Sequence, residues 1–333
     1  MHRDLVVAGA SAGGVEALRS LVAGLPPDLP AAVVVVLHMP AGGSSALPAI
    51  LDRSGPLSAV AVGDGTPLRH GRIHVAPPDH HTLVQNGVLR LSRGPTENGH
   101  RPAVNVLFRS AALSAGPAAI GVVLSGMLDD GVAGMAAIKN QGGLALVQSP
   151  GDALHPGMPV NVLEHVAVDH VVPASEMGAT LAELVAEEIT AAAPPVPETL
   201  RLEVEVSGDN AGAGFGDIPK LGRTTTLTCP DCAGSLLEIP GGSGHHRCLV
   251  GHAWTPEALL DAYSGGLERA MWTAVRTLEE KIALARRMAG HARQSGRAHI
   301  ADRYSDQEEE ALAAADVLRK HLLRSELREG TGS

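Results

Sequence analysis

Aromatic residues are nearly missing: two Trp, two Tyr and two Phe in 333 residues, or 2%. A core in this chain must be filled by aliphatic side chains, as in a parallel sheet covered by helices. Cysteine is scarce as well. Only Cys229, Cys232 and Cys248 occur, an odd count in one short segment, which argues against a disulfide framework. Positive charge is in deficit. The formal net charge is −10, so the general basic footprint of a nucleic-acid binder is lacking. No apolar run approaches about 18 residues, and the start, MHRDLVVAG, reads as neither a signal nor a transit peptide. The expectation is a protein without membrane insertion, localised to the cytoplasm. What the chain does have is 44% hydrophobic residues and length enough for two domains, or for one large domain with an appendage.

Residues 1–192 alternate strand and helix patterns. Expected strands are Leu5–Ala8, Ala32–Leu37, Ile73–Ala76, Ile120–Leu124, Leu144–Val147 and Ala167–Val172. Expected helices follow Ser11, lie around Ala46–Asp52, cover Val104–Leu113, start near Gly131 and span Ser175–Ala191. Several of the strands are continuous apolar runs, as buried parallel strands are. Asn86-Gly87 between apolar runs predicts a β-hairpin. The fold class expected is α/β: a doubly wound, mostly parallel sheet with an antiparallel edge hairpin, then a small zinc module and a C-terminal helical hairpin. Pro/Ala-rich residues open a linker over 193–220. Within it LRLEVEV alternates like a strand, and SGDNAGAGFGD reads as a flexible loop. A small module over 221–256 and a helical segment over 257–333 follow.

The stretch LVVAGASAGG, Leu5–Gly14, runs from a strand through a glycine-rich turn into a helix. As a dinucleotide fingerprint it fails, because Ser11 stands at the second glycine and the next strand ends in His38, not in an acid. As a P-loop it fails too, since no Gly-Lys-Ser/Thr follows. Gly9-Ala10-Ser11-Ala12-Gly13 is, however, a G-x-S-x-G, a turn that can expose a serine hydroxyl. Alone, such a turn is more often only a turn. His38 ends the strand AAVVVVL, and VVLSGMLDDGVAGM carries Asp129 and Asp130 past another strand end. Each has a plainer reading, a surface histidine and a helix cap. Together they can supply nucleophile, base and carboxylate, because a serine needs a base and the base needs an acid to orient it. The order Ser…His…Asp disfavours an α/β-hydrolase, which runs Ser…Asp…His.

The segments GASAGGVEAL, VLHMP, GRIHVAPPDHHTLV, HRPAVNVLFRSAA and LSGMLDDGVAGM together resemble the catalytic domain of the chemotaxis protein-glutamate methylesterases, the CheB family, over about residues 3–190. The resemblance implies hydrolysis of glutamate methyl esters on a chemoreceptor-like signalling protein, with methanol as product, and a capacity for glutamine deamidation. It assigns Ser11 as nucleophile, His38 as base and Asp130, not Asp129, as orienting carboxylate. It places Met127 where a backbone N–H meets the oxyanion. No cofactor is implied for catalysis. Three departures stand out. The elbow begins at residue 5, where the best-known members carry a receiver domain first, so a separate regulator is expected in its place. Ala12 stands where threonine is frequent, and Asn105 where the resemblance expects aspartate. His74, His80 and His81 are read either as lining the mouth of the site or as an exposed hairpin.

Cys229-x-x-Cys232, fifteen residues, then Cys248-x-x-x-His252 makes a Cys₃His set suited to a structural Zn²⁺. His245 and His246 are rivals for the fourth position. His252 is favoured because Gly251 permits a tight turn. From Pro256 the apolar residues recur at three- and four-residue steps, and again over about Ala298–Leu327, which predicts a helical hairpin. Its stripe is expected to pack on the zinc module, on the esterase domain, or on a second copy as a homodimer. The acidic run Asp306–Glu310 reads as a solvated face. Four functions compete: a methylesterase/deamidase controlled by partners, a hydrolase of another ester or amide, a signalling scaffold binding through its tail, and a zinc module that binds nucleic acid, which the few basic residues near it (Arg223, Arg247, His245, His246) disfavour.

Overall fold

The computed structural model describes residues 2–42, 45–190, 192–208, 218–240 and 244–329. It divides into two compact units, residues 1–259 and 260–333. Of the expected flexible loop at 207–217, residues 209–217 lie outside the described ones.

The first unit begins with β1 (Leu5–Ala10), α1 (Gly14–Ala23), β2 (Ala32–Leu37), α2 (Leu47–Asp52) and the strands β3 (Ser58–Ala61), β4 (Thr66–Pro67), β5 (Arg72–Val75), β6 (His81–Gln85) and β7 (Val88–Ser92). Then come α3 (Val104–Ala115), β8 (Ala119–Val123), α4 (Val132–Asn140), β9 (Leu144–Gln148), α5 (Gly157–His165), β10 (His170–Val172), α6 (Ala174–Ala186) and α7 (Glu198–Ser207). Seven strands form one sheet in the order β10-β9-β8-β1-β2-β5-β3, and all its pairings are parallel. Every residue of β1 and β2 is buried, as the continuous apolar runs require. Val6, Ala8 and Ala10 face one helical layer with Leu18, Leu51 and Leu181. Leu5 and Val7 face the other, with Leu107, Ile138 and Val162. The chain winds outward from β1 through β2, then returns to β8 on β1's other side. That reversal opens a crevice at the carboxyl ends of β1, β2 and β8, where doubly wound sheets place their sites.

The Asn86-Gly87 hairpin is present as β6–β7. It pairs with β4 in a separate three-stranded sheet, not on the edge of the parallel one. Residues 200–206 are not a strand. They lie in α7, whose buried residues Leu200, Glu203, Val206 and Ser207 follow helical spacing. The alternation is overridden by tertiary contact, because Glu203 must point inward to meet buried cations. The stretch read as a linker is therefore packed in part: Val206 and Ile218 share an apolar cluster with Leu221, Leu237 and Ile239.

A four-stranded antiparallel sheet completes this unit: β11 (Arg223–Thr228), β12 (Ser235–Glu238), β13 (His246–Cys248) and β14 (Ala253–Trp254). The boundary between units falls after Leu259, so the small module and the α/β domain form one body. α8 (Pro256–Gln294) starts in this unit and continues into the second, where α9 (Ala298–Glu329) follows it. Gly296, at φ 70°, makes the turn between them. Leu278, Ile282, Ala311 and Ala315 form the seam of the hairpin, and Arg319 pairs with Glu279 across it. Glu308, from the acidic run, is also paired, to Arg286 at 2.8 Å. Among the described residues no helix is long and apolar enough to cross a membrane.

Candidate active site

Ser11 follows β1 directly. Its N–H donates to Ser125 O at 2.9 Å, tying the turn to the end of β8. Gly13 has φ +71°, and a Cβ on it would lie 2.7 Å from Ser125 Oγ. Only glycine fits this turn. Ser11 thus sits at the amino end of α1, where backbone N–H groups and the helix dipole favour negative charge.

His38 leaves β2 beside it. His38 Nδ1 lies 3.2 Å from Ser11 Oγ, and His38 Nε2 lies 2.7 Å from Asp130 Oδ2. The partners fix the tautomer: Nε2–H donates to the carboxylate and Nδ1 accepts from the serine hydroxyl. The ring is turned the other way round from the Ser-His-Asp template of serine proteases, in which Nε2 faces the serine. Both His38 and Asp130 are almost wholly buried, with side-chain exposures of 6% and 3%. Asp130 also accepts the Val104 N–H at 2.7 Å and the Asn105 N–H at 3.1 Å, at the start of α3. Burial opposes its charge, but the bond and charge of His38 and the Val104 N–H more than offset it. The carboxyl is held below its ordinary range.

Asp129 points elsewhere. It accepts a short hydrogen bond from Thr255 Oγ1. Burial pushes its pKa up to about 6; the Thr255 bond works against the rise, while the charges of Asp130 and Glu257 add to it. Two adjacent aspartates thus face different partners, one the histidine and the other the small module.

Met127 is exposed at 59%. The loop carrying it presses against the serine: a Cβ on Gly126 would lie 2.9 Å from Ser11 Cβ. Leu128, next along, has φ +60°, a left-handed conformation costly for a leucine. Asn161 Nδ2 holds it by donating to Leu128 O at 3.0 Å. Asn105, where the resemblance expects aspartate, accepts from Gly131 N–H at 3.1 Å and Gly134 N–H at 2.7 Å. It caps α4 without adding a second charge beside Asp130.

Ser11 and His38 open into a cleft of about 480 Å³, walled opposite by Thr96, Gly99, His100 and Arg101. The His100 ring stacks on His38 with centroids 3.9 Å apart. Its pKa is lowered by burial first and by His38 second, so it stays neutral beside the base. His100 was legible only as a letter of the HRPAVN motif; nothing in its spacing marks the stack. His74 and His81 are buried and none of His74, His80 and His81 reaches the cleft. His81 is structural: its Nε2 meets Pro95 O at 3.0 Å, and Ala103 N–H donates to its Nδ1.

The Cys₃His set also comes together. The donor atoms of Cys229, Cys232, Cys248 and His252 all lie within 4.8 Å of one another. Cys232 Sγ and Cys248 Sγ are 3.6 Å apart. His252 Nδ1 is 3.8 Å from Cys229 Sγ and 3.5 Å from Cys248 Sγ. A tetrahedral Zn²⁺ with ordinary bond lengths needs donor separations of about 3.5–3.8 Å, so the residues fit the ion. Gly251 takes φ +108° in the turn before His252. His245 is committed elsewhere, 2.6 Å from Glu203. Burial pushes the Cys248 thiol up to about 12, and the neighbouring Cys229 adds to it. A cation is what such a cluster of thiols would need to ionise.

Fold and constellation together define a doubly wound α/β domain with a Ser-His-Asp set on the carboxyl edge of its sheet. The chain belongs to the CheB methylesterase family, whose model matches residues 6–181. It is 40% identical over 181 residues to a "Protein-glutamate methylesterase/protein-glutamine glutaminase 2" of Anaeromyxobacter dehalogenans, covering 54% of this chain and 53% of that one. It is 37% identical over 191 residues to a protein of the same name from Methanosarcina mazei, with 55% and 52% covered. The crystal structure of the Thermotoga maritima CheB methylesterase catalytic domain superposes with a TM-score of 0.53 at 34% identity, covering 56% of this chain and 100% of the other. The chain spans about half the length of the curated relatives it matches.

Proposed function

We propose that this chain is a serine hydrolase that removes methyl esters from glutamate side chains of a chemoreceptor-like signalling protein, with glutamine deamidation as a second activity. The observation that carries the reading is the relay Ser11–His38–Asp130, at 3.2 and 2.7 Å. His38 Nδ1 takes the Ser11 proton as Oγ attacks the ester carbonyl. Asp130 stabilises the imidazolium. The Met127 N–H and the amino end of α1 hold the oxyanion, where one donor is worth about 10²–10³ in rate. The tetrahedral intermediate collapses, and His38 returns the proton to the departing methoxide, releasing methanol. Water, its proton taken by His38, then cleaves the acyl-serine and regenerates Ser11. With glutamine the leaving group is ammonia.

No cofactor enters these steps. Cys229, Cys232, Cys248 and His252 would hold a Zn²⁺ whose part is structural, outside the ester chemistry. The chain acts in the cytoplasm, where unpaired thiols stay reduced. A separate regulator controls it, and the second unit is a surface for that regulator or for a second copy. The test is methanol release from a methyl-esterified receptor preparation. Wild type is expected to release it and Ser11→Ala to release none. Equal release from both would sink the assignment.

A further inference from the structure

The wall of the cleft opposite Ser11 belongs to the loop Thr96–Arg101, and this loop is held by the metal module. Asn98 N–H donates to Ala253 O at 2.8 Å, and Ala253 N–H to Thr96 O at 3.2 Å. Ala253 directly follows the ligand His252. Thr96 Oγ1 donates to Asp231 at 2.8 Å, between the ligands Cys229 and Cys232. Thr255 clasps the loop: its N–H donates to Asn98 Oδ1 at 2.8 Å, and its hydroxyl lies 3.1 Å from the same oxygen and in a short hydrogen bond to Asp129, the neighbour of Asp130. The loop needs such holding. Asn98 and Gly99 both take left-handed conformations, at φ +53° and +72°, and the next residue is the His100 that stacks on His38.

We propose that the Cys229/Cys232/Cys248/His252 metal site is a positioning element of the esterase centre. Metal ligation fixes β14, β14 and Thr255 fix Thr96–Arg101, and that loop sets the His100 ring against His38 and shapes the cleft. Loss of the ion by chelation slackens the wall and slows acylation of Ser11. This rests on the reading of Ser11 as a nucleophile, but not on which ester is the natural substrate. A displacement of about 1 Å in a catalytic arrangement costs on the order of a hundredfold in rate.

The experiment uses the full chain, purified reduced with zinc. Bound metal is counted by mass spectrometry. Ser11 labelling by a fluorophosphonate and amide exchange over residues 96–101 are then followed with metal, after chelation, and after Zn²⁺ is restored. The expected result is one zinc per chain, labelling about tenfold to a hundredfold slower without it, faster exchange in the loop, and recovery of both with zinc. Thr255→Val leaves all four ligands in place. It is expected to slow labelling with zinc bound, and metal removal is expected to add less to this variant than to wild type, because both act through one contact. Should the stripped chain unfold, this variant alone decides. Unchanged labelling and loop exchange in Thr255→Val, or in a stripped chain that stays folded, overturn the proposal. A chain that binds no zinc overturns it together with the metal reading. A zinc-loaded chain whose Ser11 never labels refutes the hydrolase reading instead, and loop exchange alone then decides the coupling.

Discussion

Asp130 is fixed by more than the histidine it faces. Two backbone N–H groups from the start of α3 hold both of its oxygens, so its carboxylate is aimed before His38 ever becomes charged. Replacing it by asparagine keeps the shape. The Val104 N–H and His38 share Oδ2 while the Asn105 N–H takes Oδ1, so in either orientation the amide sets its NH₂ against an α3 N–H, and the negative charge that steadies the imidazolium is gone. Asp130→Asn is therefore expected to lower kcat by about 10²–10⁴-fold, with KM little changed, in a methanol-release assay. A rate within twofold of wild type would remove Asp130 from the relay. The residue scale was legible in the sequence because the three groups lie at strand ends within short motifs. The stack of His100 and the clasp of Thr255 were not, since each depends on a contact between segments that only the folded sheet brings together.

At the scale of elements, the sheet was readable and some of its connections were not. The strands β1, β2, β8 and β9 announce themselves as apolar runs. α5 was missed because SPGDALHPGMP is punctuated by Gly and Pro, although Pro159 falls in the helix's first turn, where its missing N–H costs nothing. α7 was misread because LRLEVEV has the period of a strand, while its partners ask for the period of a helix. A contact that packing alone enforces lies between β1 and α3. Val104 approaches Gly9 so closely that a Cβ there would lie 2.2 Å from Val104 Cγ1. Gly9→Ala is expected to destabilise the unit by about 1–3 kcal/mol through overpacking, read from urea midpoints. The double variant Gly9→Ala/Val104→Ala should be more stable than the sum of its singles by about 1 kcal/mol. Strict additivity would mean that the two do not meet.

On the scale of the whole first unit, a buried ionic cluster joins what the sequence divides. Glu97, from the cleft loop, meets Arg109 of α3 and, at 2.8 Å, Arg247 of β13. Glu203 of α7 meets His245 at 2.6 Å and Arg247 at 3.5 Å. The sequence could not show this, because the five residues span positions 97–247 and are chemically ordinary one by one. Their burial opposes ionisation of both glutamates, and the facing cations more than offset it: Arg109 and Arg247 for Glu97, and His245 and Arg109 for Glu203. Both carboxyls are therefore held below their ordinary value of 4.5. A carboxyl with a depressed folded pKa stabilises the fold fully above its unfolded pKa. That stabilisation drains away as pH falls from about 4.5 toward the folded value, because the unfolded chain then binds the proton first. Glu97→Gln leaves two guanidinium groups facing a neutral amide and is expected to cost about 3–5 kcal/mol at pH 7. The gap between wild type and variant should narrow as pH drops below about 4.5, since wild type alone retains the Glu97 carboxylate to lose. Urea midpoints measured from pH 7 to pH 3 check both parts. Curves that stay parallel through the acid range would mean that Glu97 enters the folded state already neutral, and that the small module is held to the α/β domain by packing instead.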